Sequence, residues 1–386
     1  MKAANVAIIG TGFVSKIHSN AWTSAPKFFN LGIKPILKVA CDVKSTSNFA
    51  KNWGWGGTES DWKKVVERKD IDIIDVCVPT YLHKDIVIAA AKNGKQIFCE
   101  KPIAMNYAEA KEMYETAEKA GVLHYLNHNY RRTPAIAFAK KLIEEGKIGH
   151  IFHWQGTYFQ DWIIDPSFPL TWHLQKKFAG AGPHYDLNSH SVDLARYLIG
   201  EIDTVTAVMK NFITERPLPS ADAGTFKSGS TTAAETGKVT VEDAAFMIVE
   251  FNNGALGSFN ASRFGSGRKN HNYFEINGSK GSLIFDQERM NELQYLNLED
   301  PVDEQGFRTI LVTNPTHPYM GAWWPPGHII GFEHLFTHAV VDFMTALEKG
   351  TKITPNFLDG VKEMQVLEAA IISASTGRKI AVSEVK

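Results

Sequence analysis

A polar segment near the middle of the chain contains residue types suited to proton transfer. Residues 180–193 read GAGPHYDLNSHSVD, which predicts a loop leading into a helix that runs to about residue 199. Asp186, His190 and Asp193 follow helical spacing and therefore share one face. Histidine titrates near neutral pH, and a nearby carboxylate orients it and stabilises its cation. The Asp186–His190 pair is suited to take a hydroxyl proton while a hydride leaves the carbon.

A lysine follows a strand-like segment in the first third of the chain. Lys101 lies in Glu100-Lys101-Pro102, directly after the apolar residues 96–99. In an open parallel sheet, ligands bind outside the carboxyl ends of the strands, so this lysine is placed for chemistry. It can donate a hydrogen bond to the reacting oxygen, or act as the base if burial and a neighbouring cation lower its pKa.

Other interpretations of these residues remain open. Asp186 could cap a helix, and His190 could be a core histidine bonded to it. His184, Asp186 and His190 also have the side-chain types that ligate a metal. We predict no metal, because a nicotinamide cofactor would already accept the electrons.

Glycines near the start of the chain predict a nucleotide site. Gly10 and Gly12 lie where the first predicted strand turns into a helix, so they permit a tight turn and bring backbone amides close to a pyrophosphate. Ser15 stands where a third glycine is usual. Asp42 ends the second predicted strand, where a carboxylate accepts hydrogen bonds from ribose hydroxyls and repels a 2′-phosphate. We therefore expect NAD rather than NADP.

Short apolar segments alternate with helical patterns in the first third, which predicts a doubly wound α/β domain with a parallel sheet. The predicted strands there are residues 6–9, 36–41, 73–78, 96–99 and 122–126, and the predicted helices are 84–93 and 108–120. After residue 128 we predict a helix at 134–145, strands at 151–159, 204–210, 244–251, 255–262, 274–277 and 282–285, and a helix at 359–373. Residues 214–240 predict a long loop or arm.

These patterns predict two domains. We expect an NAD-binding Rossmann domain at 1–128 and an α+β domain with a mostly antiparallel sheet at 129–386, for substrate binding and oligomerisation. The C-terminal helix can pack back on the first domain. Strands of the second sheet can also pack face to face between subunits, which predicts a homo-oligomer, a dimer or tetramer.

Composition limits the classes of partner. Of 386 residues, 44% are hydrophobic and 22% charged, and the net charge is -1. This balance gives no broad attraction to nucleic acid or to an anionic membrane, so we expect a small-molecule partner. The three cysteines have no close pairs, which fits a reducing cytoplasm. We expect neither a signal peptide nor a membrane-spanning segment.

The motifs, in this order, resemble the glucose-fructose oxidoreductase and inositol dehydrogenase family, Gfo/Idh/MocA. The resemblance covers nearly the whole chain and is carried by GTGFVSKIH, VPTYLH, the Glu100-Lys101-Pro102 triplet, NHNYRRTPA and AGAGPHYDLNSHSVD. It implies a Rossmann domain, a domain with an open-faced sheet, and hydride transfer to a nicotinamide cofactor. It also implies that Lys101, Asp186 and His190 are catalytic. Asn188 departs from the glycine that is frequent between the acid and the histidine.

Further residues are assigned to binding. The resemblance implies that Gly10, Gly12, Phe13, Val14, Asp42, Thr80, His83 and Glu100 bind the cofactor, and we add Lys101 and Asn129. The substrate-binding set is Lys101, Tyr130, Trp162, His173, Asp186 and His190. Sugar rings stack on aromatic side chains and bind polar ones, and the wider group of candidates with these properties is Tyr158, Gln160, Asp161, Trp172, Trp323, Trp324 and His328.

The function expected is NAD-dependent oxidation of a secondary ring hydroxyl of a sugar, an inositol or an anhydrosugar such as levoglucosan. One alternative is an NAD-dependent glycoside hydrolase that oxidises the sugar transiently. The other is a non-catalytic protein that senses NAD. An intact proton-transfer set favours the dehydrogenase, because binding alone does not require one.

Overall fold

The computed structural model describes residues 2–219 and 235–386. The first strands are β1 (Lys2–Ile9), β2 (Ile33–Cys41), β3 (Thr58–Glu59), β4 (Ile73–Val76), β5 (Gln96–Cys99) and β6 (His124–Leu126). They alternate with the helices α1 (Phe13–Phe28), α2 (Ser47–Trp53), α3 (Trp62–Glu67), α4 (His83–Lys92) and α5 (Tyr107–Ala120).

The second part of the chain begins with helices and continues mainly as strands. Its first elements are α6 (Pro134–Glu144), β7 (Ile151–Phe159), α7 (Lys176–Ala179), α8 (Pro183–Asp186), α9 (Asn188–Leu198), β8 (Ile202–Lys210), β9 (Glu215–Pro217) and β10 (Thr236–Lys238). Then follow β11 (Ala244–Phe251), β12 (Leu256–Ser262), β13 (His271–Gly278), β14 (Gly281–Asp286), β15 (Glu292–Asn297), β16 (Arg308–Leu311), α10 (Phe332–Lys349), α11 (Phe357–Thr376) and β17 (Ile380–Ala381).

The first six strands form one parallel sheet in the order β3-β2-β1-β4-β5-β6. Strands of such a sheet are buried on both faces and are therefore mostly apolar. All four residues of β4 are buried, and three of them are apolar; the fourth is Asp75. The order reverses between β1 and β4, which is where doubly wound folds bind nucleotides. The predicted Rossmann fold is confirmed.

The chain divides into two compact units, unit 1 (Met1–Thr133 and Thr313–Lys362) and unit 2 (Pro134–Val312 and Glu363–Lys386). This division differs from the predicted one at residue 128, because Thr313–Lys362 belongs with the first unit. That segment contains α10, an 18-residue helix that sequence analysis missed. Its signal was present in the glycines at 331 and 350 that flank an apolar face.

Unit 2 is built on a nine-stranded sheet in the order β16-β15-β14-β13-β7-β12-β11-β8-β17. The β7–β12 pair is parallel and the other pairs are antiparallel. Helices α6, α8 and α9 cover one face, where Trp154, Phe259 and Phe274 are buried. On the other face Val208, Phe246 and Ile248 are exposed, so the mostly antiparallel, open-faced sheet is confirmed.

The segment predicted as a long loop at 214–240 is structured at both ends. β9 and β10 pair as an antiparallel ribbon, and residues 220–234 lie outside the described part of the chain. The buried Arg216 of β9 donates hydrogen bonds to the carbonyl oxygens of Ile163 and Phe168, at 2.6 and 3.3 Å. The ribbon therefore holds the segment that follows β7.

Within the described ranges, no helix combines the length and apolarity that crossing a membrane requires.

Candidate active site

The turn between β1 and α1 needs its glycines. Gly10 has a φ of 99°, and a Cβ there would overlap the carbonyl oxygen of Cys77. Gly12 is the N-cap of α1, and a Cβ there would meet no described heavy atom within 4 Å. The backbone N–H and hydroxyl of Thr11 donate to the Asp42 carboxylate at 2.9 and 2.8 Å. The turn thus places the start of α1, including Phe13 and Val14, near a carboxylate at the end of β2.

A buried histidine that sequence analysis did not assign lies at the carboxyl ends of β4 and β5. His18 Nδ1 is 2.9 Å from Asp75 Oδ1, and its Nε2 is 2.8 Å from Glu100 Oε1. Because carboxylates accept hydrogen bonds, both ring nitrogens donate and the ring is cationic. Burial lowers the pKa of His18, but the charge and hydrogen bond of Asp75 raise it more, so the pKa lies well above its usual value.

The charged histidine in turn holds Glu100. Burial raises the pKa of Glu100, but the hydrogen bond and charge of His18, with a hydrogen bond from Asn127 at 2.6 Å, bring it below its usual value. The other carboxylate oxygen accepts the backbone N–H of Lys101 at 3.2 Å. The network therefore fixes the backbone of the lysine predicted to be catalytic. The only sequence signal for His18 was its place in GTGFVSKIH. The sequence alone does not distinguish this charged histidine from an ordinary core histidine at the same position.

Two residues predicted to contact the cofactor are buried between strand ends. Thr80 begins a short 3-10 turn, and His83 begins α4. The ring nitrogens of His83 lie 2.9 Å from the Val78 carbonyl oxygen and 3.1 Å from that of Pro102, and burial lowers its pKa. These contacts tie the β4 and β5 loops together, so we assign His83 to positioning that edge of the sheet.

A 3-10 turn after β6 carries Asn129 and Tyr130, both buried. Asn129 Nδ2 has no hydrogen-bond partner among the described residues. A buried amide donor of this kind is usually satisfied by a ligand or by water. Together with the turn at Gly10 and Gly12 and the carboxylate of Asp42, this donor fits a nicotinamide dinucleotide.

In unit 2, Asp186 ends α8 and His190 lies in the first turn of α9. The prediction was a loop leading into one helix, whereas the structure has a short helix, α8, separated from α9 by Leu187. Asp186 Oδ2 accepts a 2.7 Å hydrogen bond from Arg263, and the ring of His190 is 5.9 Å from that of Tyr158. Asp186 thus lies beside Arg263, which directly follows β12, and His190 lies beside Tyr158 of β7.

The loop before Asp186 is held by an acid that sequence analysis missed. Glu242 accepts the backbone N–H of His184 at 2.9 Å, and burial raises the pKa of Glu242. A Cβ at Gly182 would overlap the carbonyl oxygen of Glu242, so the loop can approach it only with glycine at that position. The backbone leading to Asp186 is therefore fixed by packing against Glu242, two residues before β11.

Several predicted sugar contacts form one hydrogen-bonded chain in unit 2. Trp162 Nε1 donates to Gln160 at 2.8 Å, and Gln160 Nε2 donates to Asn270 Oδ1 at 3.2 Å. The hydroxyl of Tyr158 donates to the same oxygen at 2.7 Å. The ring of His173 lies 6.0 Å from that of Trp162. Asn270 was not predicted, because it lies directly before β13, far along the chain from Tyr158 and Gln160.

Other candidates have structural contacts instead. His184 Nε2 is 2.8 Å from the Leu367 carbonyl oxygen, its Nδ1 is 3.2 Å from Asn188, and burial lowers its pKa to about 4. Its ring nitrogens are therefore engaged, which argues against the alternative metal site. Trp323 and Trp324 pack against Phe28 of α1, with ring centroids 4.4 and 5.6 Å apart. Trp323 is half-buried and Trp324 is exposed, so these contacts place both at the surface of unit 1 beside α1.

Comparisons with known proteins cover both units. A family model described as "Oxidoreductase family, NAD-binding Rossmann fold" matches residues 4–128, and one described as "GFO/IDH/MocA C-terminal domain" matches residues 136–284. Levoglucosan dehydrogenase of Pseudarthrobacter phenanthrenivorans is 41% identical over 382 residues, with 97% of each chain covered.

Solved structures are similar over the same extent. A levoglucosan dehydrogenase in complex with NADH and levoglucosan has a TM-score of 0.93 and 39% identity, covering 99% of this chain and 100% of that one. An oxidoreductase domain protein from Kribbella flavida has a TM-score of 0.93 and 43% identity with the same coverage.

Proposed function

Because the chain belongs to the Gfo/Idh/MocA family of oxidoreductases with an NAD-binding Rossmann fold, we propose that it oxidises a secondary ring hydroxyl of a levoglucosan-like anhydrosugar. The product is the ketone, and NAD is the hydride acceptor. The observation that carries the proposal is the 41% identity with levoglucosan dehydrogenase, which extends over 97% of both chains.

Unit 1 supplies the residues proposed to bind the cofactor. Gly10 and Gly12 let the pyrophosphate approach the start of α1, and the carboxylate of Asp42 accepts hydrogen bonds from the adenosine ribose. The orphaned amide donor of Asn129 suits an oxygen of the nicotinamide end. Bound NAD supplies the electron acceptor, and the protein supplies the proton transfers.

The proton-transfer set is Lys101, Asp186 and His190. We assign His190 to accept the proton of the reacting hydroxyl and Asp186 to orient it and stabilise its cation. Lys101 donates a hydrogen bond to the reacting oxygen or shares the proton with His190. Tyr130, Trp162 and His173 are assigned to contact the sugar, because their rings offer stacking faces and polar edges.

The test is a turnover screen of the purified protein with NAD. We expect NADH absorbance to rise with levoglucosan, and to rise less with glucose or with an inositol. Release of an aglycone from a glycoside without net NADH would instead support transient oxidation. Tight NAD binding without turnover on any sugar would contradict the dehydrogenase function.

We further propose that the chain forms a homo-oligomer through the open face of its nine-stranded sheet. Val208, Phe246 and Ile248 on this face are 71%, 46% and 65% exposed, and Phe246 pairs directly with Val208 across β8 and β11. Contiguous apolar surface of this kind is typical of an interface between proteins. A second copy presenting the same face by two-fold symmetry would bury it.

We place the protein in the cytoplasm. Cys41, Cys77 and Cys99 are unpaired thiols, and Cys41 and Cys99 are buried in the parallel sheet. Unpaired cysteines suit a reducing compartment, where NAD-dependent metabolism takes place. Fractionation of the source cells with an antibody to the chain would test this placement.

A further inference from the structure

Arg263, directly after β12, is a buried cation with few partners. Its side chain is 1% exposed. Its Nη2 donates to Asp186 Oδ2 at 2.7 Å, and the guanidinium lies 5.2 Å from the ring centroid of Trp162. Nε and Nη1 are also buried, and neither has a hydrogen-bond partner among the described residues. Burying a charge with unsatisfied donors costs free energy, so its retention needs a reason.

Other buried arginines of unit 2 bond to the fold rather than to the site, although Nε of Arg216 also has no hydrogen-bond partner among the described residues. Arg216 donates to backbone carbonyl oxygens of Ile163, Asp165 and Phe168. Arg196 forms a two-pronged ion pair with Glu201 at 2.9 and 3.0 Å. Arg263 differs because its one strong side-chain hydrogen bond within the described residues goes to the proposed catalytic acid. Its bonding pattern therefore points to the site rather than to the core.

Asp186 and Arg263 differ in how far their side chains are exposed to solvent. The Asp186 side chain is 36% exposed, whereas that of Arg263 is 1% exposed. A ligand can thus reach the carboxylate but not the guanidinium. Arg263 also lies over Trp162, so one rigid planar group contacts both a proposed sugar-binding ring and the proposed acid.

We propose that Arg263 is a positioning residue that holds the Asp186 carboxylate in the orientation that binds the sugar and supports His190. The inference rests on the proposed function of the chain. Arg263 acts through Asp186 and does not itself touch the substrate. Because Arg263 also contacts Trp162, the position of Asp186 depends on the ring that is proposed to bind the sugar.

The test is a double-mutant cycle on sugar binding, which stays measurable when turnover is lost. Levoglucosan is titrated into the enzyme–NADH complex, followed by NADH fluorescence, for wild type, Arg263→Met, Asp186→Asn and the double variant. Losing a hydrogen bond to a charged group changes an equilibrium constant by about 10- to 100-fold. We expect Arg263→Met to weaken binding by about that factor when Asp186 is present, and by less than about twofold in the Asp186→Asn background.

Two further variants separate positioning from stability. Arg196→Met removes another buried ion pair of unit 2, and we expect it to lower the melting temperature without changing sugar affinity. Arg263→Lys keeps the charge but loses the planar fork, and we expect kcat to fall more than KM rises. If Arg263→Met does not fold, the cycle is run with Arg263→Lys.

The outcomes distinguish the inference from the function on which it rests. An equal loss of affinity from Arg263→Met with and without Asp186 overturns the positioning role while the dehydrogenase function stands. Failure of the wild-type complex to bind or oxidise any sugar contradicts both. A loss of sugar affinity from Arg263→Met that occurs only when Asp186 is present supports the positioning role of Arg263.

Discussion

His18 lies between two carboxylates at the edge of the parallel sheet, and the arrangement ties the nucleotide-binding helix to the proposed catalytic lysine. The groups around the ring are Asp75 of β4, Cys77 directly after β4, Phe98 of β5, Glu100 directly after β5, Asn127 after β6 and Phe336 of α10. Burial raises the pKa of the Cys77 thiol, so Cys77 remains neutral. The charge balance is set by one cation and two anions.

This balance predicts a pH-dependent stability. The folded-state pKa of His18 is raised, so its stabilisation is full below the unfolded pKa of about 6.5 and is lost as pH rises through the folded pKa. Glu100, with a lowered pKa, stays ionised throughout that range. We expect His18→Gln to destabilise the protein by about 3 kcal/mol at pH 6, and by progressively less at higher pH. Denaturant unfolding at several pH values measures the difference; a difference that grows with pH would contradict the cationic assignment.

Lys101 gives a second prediction at this scale. Replacing it by methionine keeps the bulk and removes the donor, so we expect kcat to fall about 10²- to 10⁴-fold, the usual range for proton-transfer groups. NAD affinity, measured by titration, should change little. Lys92→Met on the exposed side of α4 serves as the control and should leave kcat unchanged. Normal turnover by Lys101→Met would refute the mechanism.

In the turn between β1 and α1, the two glycines on either side of Thr11 have different roles, one in folding and the other in cofactor binding. Gly10 has a positive φ and no room for a Cβ, whereas a Cβ at Gly12 enters space free of described atoms. We therefore expect Gly10→Ala to lower the free energy of unfolding by about 1–3 kcal/mol. Gly12→Ala should keep that stability but weaken NAD binding, because the methyl group occupies space next to the pyrophosphate.

Thermal unfolding without cofactor and NAD titration measure the two effects separately. If Gly12→Ala binds NAD as tightly as wild type, the proposed approach of the pyrophosphate to this turn is wrong. If Gly10→Ala is as stable as wild type, the strain assigned to the turn is wrong.

For the whole molecule, the open sheet face predicts assembly. Ile248→Asp puts a charge into the centre of the exposed apolar patch, so we expect light scattering to show a smaller species than wild type. Val302 is 87% exposed in the loop that joins β15 to β16, whereas the patch lies on β8 and β11, and Val302→Asp should leave the mass unchanged. A monomeric wild type, or a folded Ile248→Asp variant with wild-type mass, would contradict the oligomer.

Local patterns in the sequence determined most of the architecture. Apolar and alternating runs predicted every parallel strand except β3, and every strand of the second sheet except β15, β16 and β17, because strand and helix periodicities are properties of neighbouring residues. The Asn253-Gly254 turn between β11 and β12 and the glycine turn at Gly10 were predictable for the same reason. Lys101, Asp186 and His190 could be nominated as a set because of their residue types and motif positions.

Only the tertiary structure decided how distant residues are paired. His18 meets acids 57 and 82 positions away, and Asp186 meets Arg263 at a separation of 77. The grouping of Thr313–Lys362 with Met1–Thr133 in one compact unit is another pairing of distant parts of the chain. Such pairings arise from the packing of whole elements, and no local periodicity encodes them. The residue types of the proton-transfer set were therefore readable in the sequence, while the partners that hold them in place were not.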